Sequence, residues 1–311
     1  MIYRDAEKAH IIALRDEIFR DAGYGIFKGK RYPFVLQNPL LNLWDGIRED
    51  VFRYFEENQI TWWGGERSGV TGHLLSSQVA CLNHLYPIRQ RVDMATAILR
   101  AIRDDITSAV MMDTGFVEFE VVGRENYLGE RSHSRGINAT SIDAVMVGKK
   151  DNGTNILVMI EWKYTEEYDS KDLYIPARAN IYDPLLLSND SPIRIQKPRD
   201  LYYEPFYQLM RQTLLGWLMV ENREYECNEF IHIHVIPREN IKLRETVTSP
   251  GLVGESMTAA WRKVLKQPQR YIVMTPENMM SPIQVCEDSV SISRYLSKRY
   301  WNKDDLPLLS E

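Results

Sequence analysis

The segment Asn155 to Tyr164, NILVMIEWKY, constrains the fold more than any other part of the chain. Leu157 and Met159 lie on one side of it and Ile156, Val158 and Ile160 on the other, so as a strand it is apolar on both faces and must sit centrally in a sheet covered above and below. Two charged residues, Glu161 and Lys163, interrupt its end. At i and i+2 they project from the same face as Leu157 and Met159. Charges placed where burial is expected need partners or a function.

The neighbouring patterns complete an α/β reading. Phe116 to Val122 and Ser141 to Gly148 are further strands, the second interrupted by Asp143, and Phe230 to Pro237 is a fourth. A helical pattern starts at Gly72, breaks at Pro87 and resumes from Arg89 to about Val110. A second helix opens at Glu204-Pro205, with Phe206, Leu209, Met210, Thr213, Leu214, Trp217 and Leu218 spaced three and four apart. The sequence therefore predicts an α/β domain with a mixed central sheet and the core order helix-strand-strand-strand-helix-strand.

The core spans residues 72–240 and includes a long insertion, 165–202, that shows little periodicity. A connection of that length is usually functional or mobile. Residues 1–71 read as a helical lobe, with helices from Ala6 to Arg20 and Leu43 to Glu56, ending at Trp62-Trp63-Gly64-Gly65. Residues 241–311 read as a helical extension, with helices from Glu255 to Leu265 and Ser289 to Tyr300 joined by YIVMTPENMMSP.

The turn between the second and third strands fixes their register. Asp151-Asn152-Gly153 suits a three-residue hairpin loop with glycine in the left-handed position, which pairs Lys150 with Thr154. Counting back sets Asp143 directly opposite Glu161, with Cβ atoms about 5 Å apart. A slip of one residue would send the two side chains to opposite faces. Two opposed carboxylates repel, and one lysine only partly neutralises them. A divalent cation resolves the conflict, and carboxylate oxygens suit Mg²⁺ or Mn²⁺, making Asp143 and Glu161 the candidate metal ligands. Such an ion activates water, while Lys163 positions that water or offsets developing charge.

With these residues in place, the chain resembles the PD-(D/E)xK nuclease superfamily, the restriction-endonuclease-like proteins. The resemblance runs roughly from Gly72 to Arg238 and rests on the order of elements, on Ile142-Asp143 and on Glu161-Trp162-Lys163, with Ile142 standing where the motif has proline. It implies a Mg²⁺-dependent enzyme that hydrolyses DNA. It also implies a polar residue from the first helix and another from the helix after the third strand, for which Gln78 and Gln208 are the candidates. One family branch has tyrosine four residues after such a glutamine; this chain has Gln212. A homodimer, or a partner subunit in a defence or repair system, fits the same resemblance.

Competing readings bear on each choice. Asp143, Glu161 and Lys163 could form a structural salt-bridge cluster, or the fold could persist as a non-catalytic nucleic-acid-binding or assembly module. Gln78 and Gln208 could be ordinary helix-surface amides. Glu118 and Glu120 share a face of the first strand and read as a solvated edge, the other reading being that one of them is an additional carboxylate near the metal. His232 and His234 share a strand face but lack a third ligand, so packing is the preferred reading.

The formal charge of −5 argues against nucleic acid bound over the whole surface, but not against a local basic groove. Candidates for such a groove are Arg124, Arg131 and Arg135, and the arginines interleaved with tyrosines between Tyr168 and Tyr203. The three cysteines, Cys81, Cys227 and Cys286, form no CxxC pair. With no apolar run near the roughly 20 residues that span a bilayer and no apolar signal core, a cytoplasmic location is expected.

Overall fold

The structure is a computed structural model that describes residues 2–63, 69–136 and 138–301; Gly64 and Gly65 of the predicted lobe boundary lie outside them. The chain opens with α1 (Tyr3–Ile18) and a hairpin of β1 (Tyr24–Phe27) and β2 (Lys30–Leu36). Lys28 and Gly29 turn this hairpin with φ of 48° and 76°, the paired left-handed conformation of a tight two-residue turn. The expectation of helices alone missed this sheet. Next come α2 (Arg48–Glu57), α3 (Ser77–Leu85) and α4 (Val92–Ile102).

The central sheet follows: β3 (Ile106–Val110), β4 (Glu118–Val121), β5 (Ile142–Lys150) and β6 (Asn155–Trp162), then α5 (Pro176–Leu186), α6 (Phe206–Glu221) and β7 (Cys227–Val235). The chain continues through α7 (Ile241–Glu245), α8 (Met257–Val264), β8 (Tyr271–Met274), α9 (Pro276–Met280) and α10 (Ser289–Tyr300). The six strands form one mixed sheet in the order β3-β5-β6-β7-β8, with β4 also paired to β5. Antiparallel pairing joins β3, β4, β5 and β6, whereas β7 and β8 run parallel to β6. The α/β class and the expected core order are both present.

Three further elements depart from the sequence reading. The helix expected to reach Val110 ends at Ile102, and Ile106–Val110 pairs with the far end of β5 while β4 pairs with its beginning. Together β3 and β4 make one interrupted edge. The YIVM stretch within the C-terminal extension is β8, the opposite edge. The insertion 165–202 contains α5, which buries Ala179, Tyr182 and Leu186 despite an internal Pro184.

The two faces of β6 have separate cores, as its double-sided hydrophobicity requires. Ile156, Val158, Ile160 and Trp162 pack with residues of α1 to α4 and of α9 and α10, while Leu157 and Met159 pack beneath α5, α6 and α8. Helices therefore cover the sheet on both sides, a three-layer arrangement. No helix among the described residues is long and apolar enough to cross a membrane.

The β5–β6 hairpin has the expected register. Ala144 pairs with Ile160 and Lys149 with Asn155, the Lys150 N–H donates to the Thr154 carbonyl at 2.8 Å, and Gly153 has φ of 82°. Alanine at Gly153 would carry a Cβ into the left-handed region, so Gly153→Ala is expected to lower stability by about 1–2 kcal/mol in urea unfolding. An unchanged midpoint would show that the turn does not depend on this conformation.

Candidate active site

The hairpin register, continued one residue beyond Ala144 and Ile160, brings Asp143 opposite Glu161. The β4–β5 register pairs Phe119 with Ala144 and Val121 with Ile142, so Glu120 lies opposite Asp143 on the other side. Three carboxylates thus form one row across three adjacent strands. Glu120 has φ of 50°, a conformation that costs a non-glycine residue energy and is found disproportionately at functional positions.

Each carboxylate has its own partners. Glu161 is 1% exposed; its Oε1 lies 2.6 Å from Lys163 Nζ, and its Oε2 accepts from Gln212 Nε2. The same Gln212 amide also donates to the Ser141 carbonyl at 2.9 Å, which ties α6 to the start of β5. Lys163 Nζ donates to Gln208 Oε1 at 2.6 Å and sits 5.7 Å from the Tyr168 ring centroid. The half-buried Asp143 accepts the Trp162 N–H at 2.8 Å. Glu120 accepts from Gln78 Nε2 and from Ser141 Oγ, both at 2.8 Å, and Gln78 in turn accepts the Trp63 N–H.

The electrostatics follow from one lysine facing three acids. Burial pushes the Asp143 carboxyl well above its ordinary 3.8, and repulsion from Glu161 and Glu120 adds to this, outweighing Lys163 and the Trp162 N–H. Burial also raises Glu120, with Glu161 contributing, against the hydrogen bonds from Gln78 and Ser141. For Lys163, burial opposes the charge but is overcome by Glu161, Tyr168, Glu166 and Asp143, so the ammonium is held above its ordinary range. The row favours taking up a proton or another cation.

The structure joins Glu161, Lys163 and Gln208 by direct contacts and sets Asp143 opposite Glu161, bonded to the Trp162 N–H. Gln78 stands one carboxylate further along, on Glu120. Sequence reasoning preferred a solvated edge for Glu118 and Glu120, the other reading being that one of them is an additional carboxylate near the metal. It treated Gln212 as a departure from a pattern, yet Gln212 touches Glu161 directly. Glu118, its expected face-mate, turns away to Arg89 and Tyr54. His232 and His234 are buried beside the row, bonded to Thr213 and Tyr271, and burial keeps both rings neutral.

Among the described residues, no three or more His, Cys, Asp or Glu side chains are grouped to hold a metal ion alone. The donor chemistry nevertheless suits a hard cation that keeps water and substrate oxygens as its other ligands. Glu161 Oε1 is buried without a hydrogen bond, its contact with Lys163 being ionic. Residues 13–301 match a protein family described as "Restriction Endonuclease associating with ARP". No curated protein and no solved structure matches the chain.

Proposed function

Since this chain belongs to the family of restriction endonucleases associating with ARP, we propose that it is a metal-dependent nuclease that hydrolyses phosphodiester bonds of DNA, with Asp143, Glu161 and Lys163 as its centre. The observation that carries this reading is the opposition of Asp143 and Glu161 on adjacent strands, with Lys163 Nζ 2.6 Å from Glu161. Asp143 and Glu161 would hold Mg²⁺ or Mn²⁺, which supplies Lewis acidity toward a phosphoryl oxygen and lowers the pKa of a bound water.

The chain's own groups do the rest. Lys163 is held by Glu161 and Gln208, and from there its ammonium would orient the attacking water or balance charge growing on the phosphoryl oxygens. Gln212 fixes the Glu161 carboxylate from α6, and Gln78 and Ser141 fix Glu120. Positions set by packed strands and helices lose little entropy when the substrate arrives. The family's description adds association with ARP, so the reading includes that associate.

The test is cleavage of supercoiled plasmid by the full chain. Nicked or linear product is expected with Mg²⁺ or Mn²⁺, and none with excess chelator. DNA that is bound but never cut, with either metal, would replace the enzyme by a binding module that retains the fold.

A further inference from the structure

Gln208 and Gln212 reach the carboxylate row from α6, and the residue before each of them is turned about 100° away around the helix. Those residues, Tyr207 and Arg211, line a cavity of about 580 Å³ bounded by α5 and the loop before β5. Its size lies within the roughly 300–1,000 Å³ of ordinary ligand sites. Arg131 and Arg178 line it as well.

The charges in this cavity are unevenly committed. The Arg211 guanidinium is 4.5 Å and that of Arg178 5.8 Å from the centroid of the Tyr207 ring. Arg211 donates to Thr140 Oγ1 at 3.2 Å, and its Nε is buried without a partner. Arg211 is attracted by the Glu204 and Glu130 carboxylates, whereas among the described residues Arg131 and Arg178 form no salt bridge. The acids in the lining are also hydrogen-bonded to the wall. Glu130 accepts from the Thr140 N–H at 2.6 Å, from its hydroxyl and from Tyr182. Glu204 accepts the Gln208 N–H at 3.2 Å, and burial raises its pKa.

We propose that this cavity is a backbone subsite for the substrate, in which Arg131, Arg178 and Arg211 receive phosphates of the DNA strand next to the bond held at the carboxylate row. The inference rests on the nuclease reading for its ligand. Adjacent faces of one helix carry the two functions. Gln208 and Gln212 hold the reacting groups, and Tyr207 and Arg211 hold the strand, so a strand in the cavity is in register with the row.

Binding of a short duplex to the full chain, followed by fluorescence anisotropy in EDTA at several salt concentrations, tests this without any cleavage. Each phosphate contact contributes about 0.9 to the slope of log affinity against log salt. Arg178→Ala and Arg131→Ala, both at exposed positions, are each expected to weaken binding and to reduce that slope by about 0.9. Arg53→Ala, on exposed α2 surface, should leave both unchanged. Wild-type affinity and slope in the cavity variants, or no salt-dependent binding by wild type, would overturn the subsite. Cleavage that persists alongside such a result leaves the nuclease reading standing, whereas arginine-dependent binding without cleavage removes that reading and keeps the subsite.

Discussion

Lys163→Met is expected to lose about 3–5 kcal/mol of folding stability in chelator and to lose metal-dependent cleavage. Glu161 and Lys163 are 1% and 5% exposed, so removing the ammonium leaves a carboxylate in the interior with only Gln212 to support it. An uncompensated buried charge carries a penalty of that size, whereas an exposed pair contributes about 0–1 kcal/mol. Methionine keeps most of the lysine's volume, so a cavity does not explain the loss. The double variant Glu161→Gln with Lys163→Met should regain much of the stability, because no orphaned charge remains, but none of the activity. Urea unfolding of wild type and the three variants measures the coupling. A loss under about 1 kcal/mol for Lys163→Met would mean that the pair is solvated and the buried site misjudged.

Most of the core architecture was legible because it depends on features that survive in one dimension. A strand apolar on both faces has to be central, and β6 is. A tight turn with glycine in its left-handed position sets register without any tertiary knowledge, which is why the opposition of Asp143 and Glu161 could be counted from Gly153. The missed strands lack such anchors. β8 is four residues long, too short for a period to show, and β3 follows directly on α4 with only Arg103 to Asp105 between them. The β1–β2 hairpin turns on Lys28-Gly29 and carries no strong alternation.

At the site, the boundary falls at long-range register. Asp143 and Glu161 are joined by a short turn, but Glu120 reaches the same row through the whole connection from Val122 to Ser141, along which no count can be carried. Its left-handed backbone also breaks the alternation that would have placed it on the face of Glu118. Gln212 was visible only as the residue following Gln208 by one helical turn. That spacing already puts the two amides on one face of α6, and it was the available signal that the second amide belongs with the first.

The charge on Asp143 provides the other large effect. Its carboxyl sits well above 3.8 in the folded chain, so the folded state binds more protons than the unfolded state once pH rises past that value. Stability of the metal-free protein therefore falls as pH rises from about 4 until the folded carboxyl has also ionised. Asp143→Asn removes the titration, so in chelator the variant should match or exceed wild type, with the advantage growing toward neutral pH. The salt-bridge reading assigns the opposite sign, since loss of a carboxylate that stabilises Lys163 would lower stability at neutral pH.

Melting wild type and Asp143→Asn at neutral pH, each in chelator and in excess Mn²⁺, tests the central claim most directly. A ligand that binds only the folded state raises its stability by about 2.7 kcal/mol at a hundred times its Kd. The expected result is a clear Mn²⁺-induced rise in the Tm of wild type, a much smaller rise in the variant, and a variant at least as stable as wild type in chelator. A wild type that Mn²⁺ leaves unmoved, with a variant that melts lower in chelator, would contradict the account and make Asp143, Glu161 and Lys163 a structural ion-pair cluster.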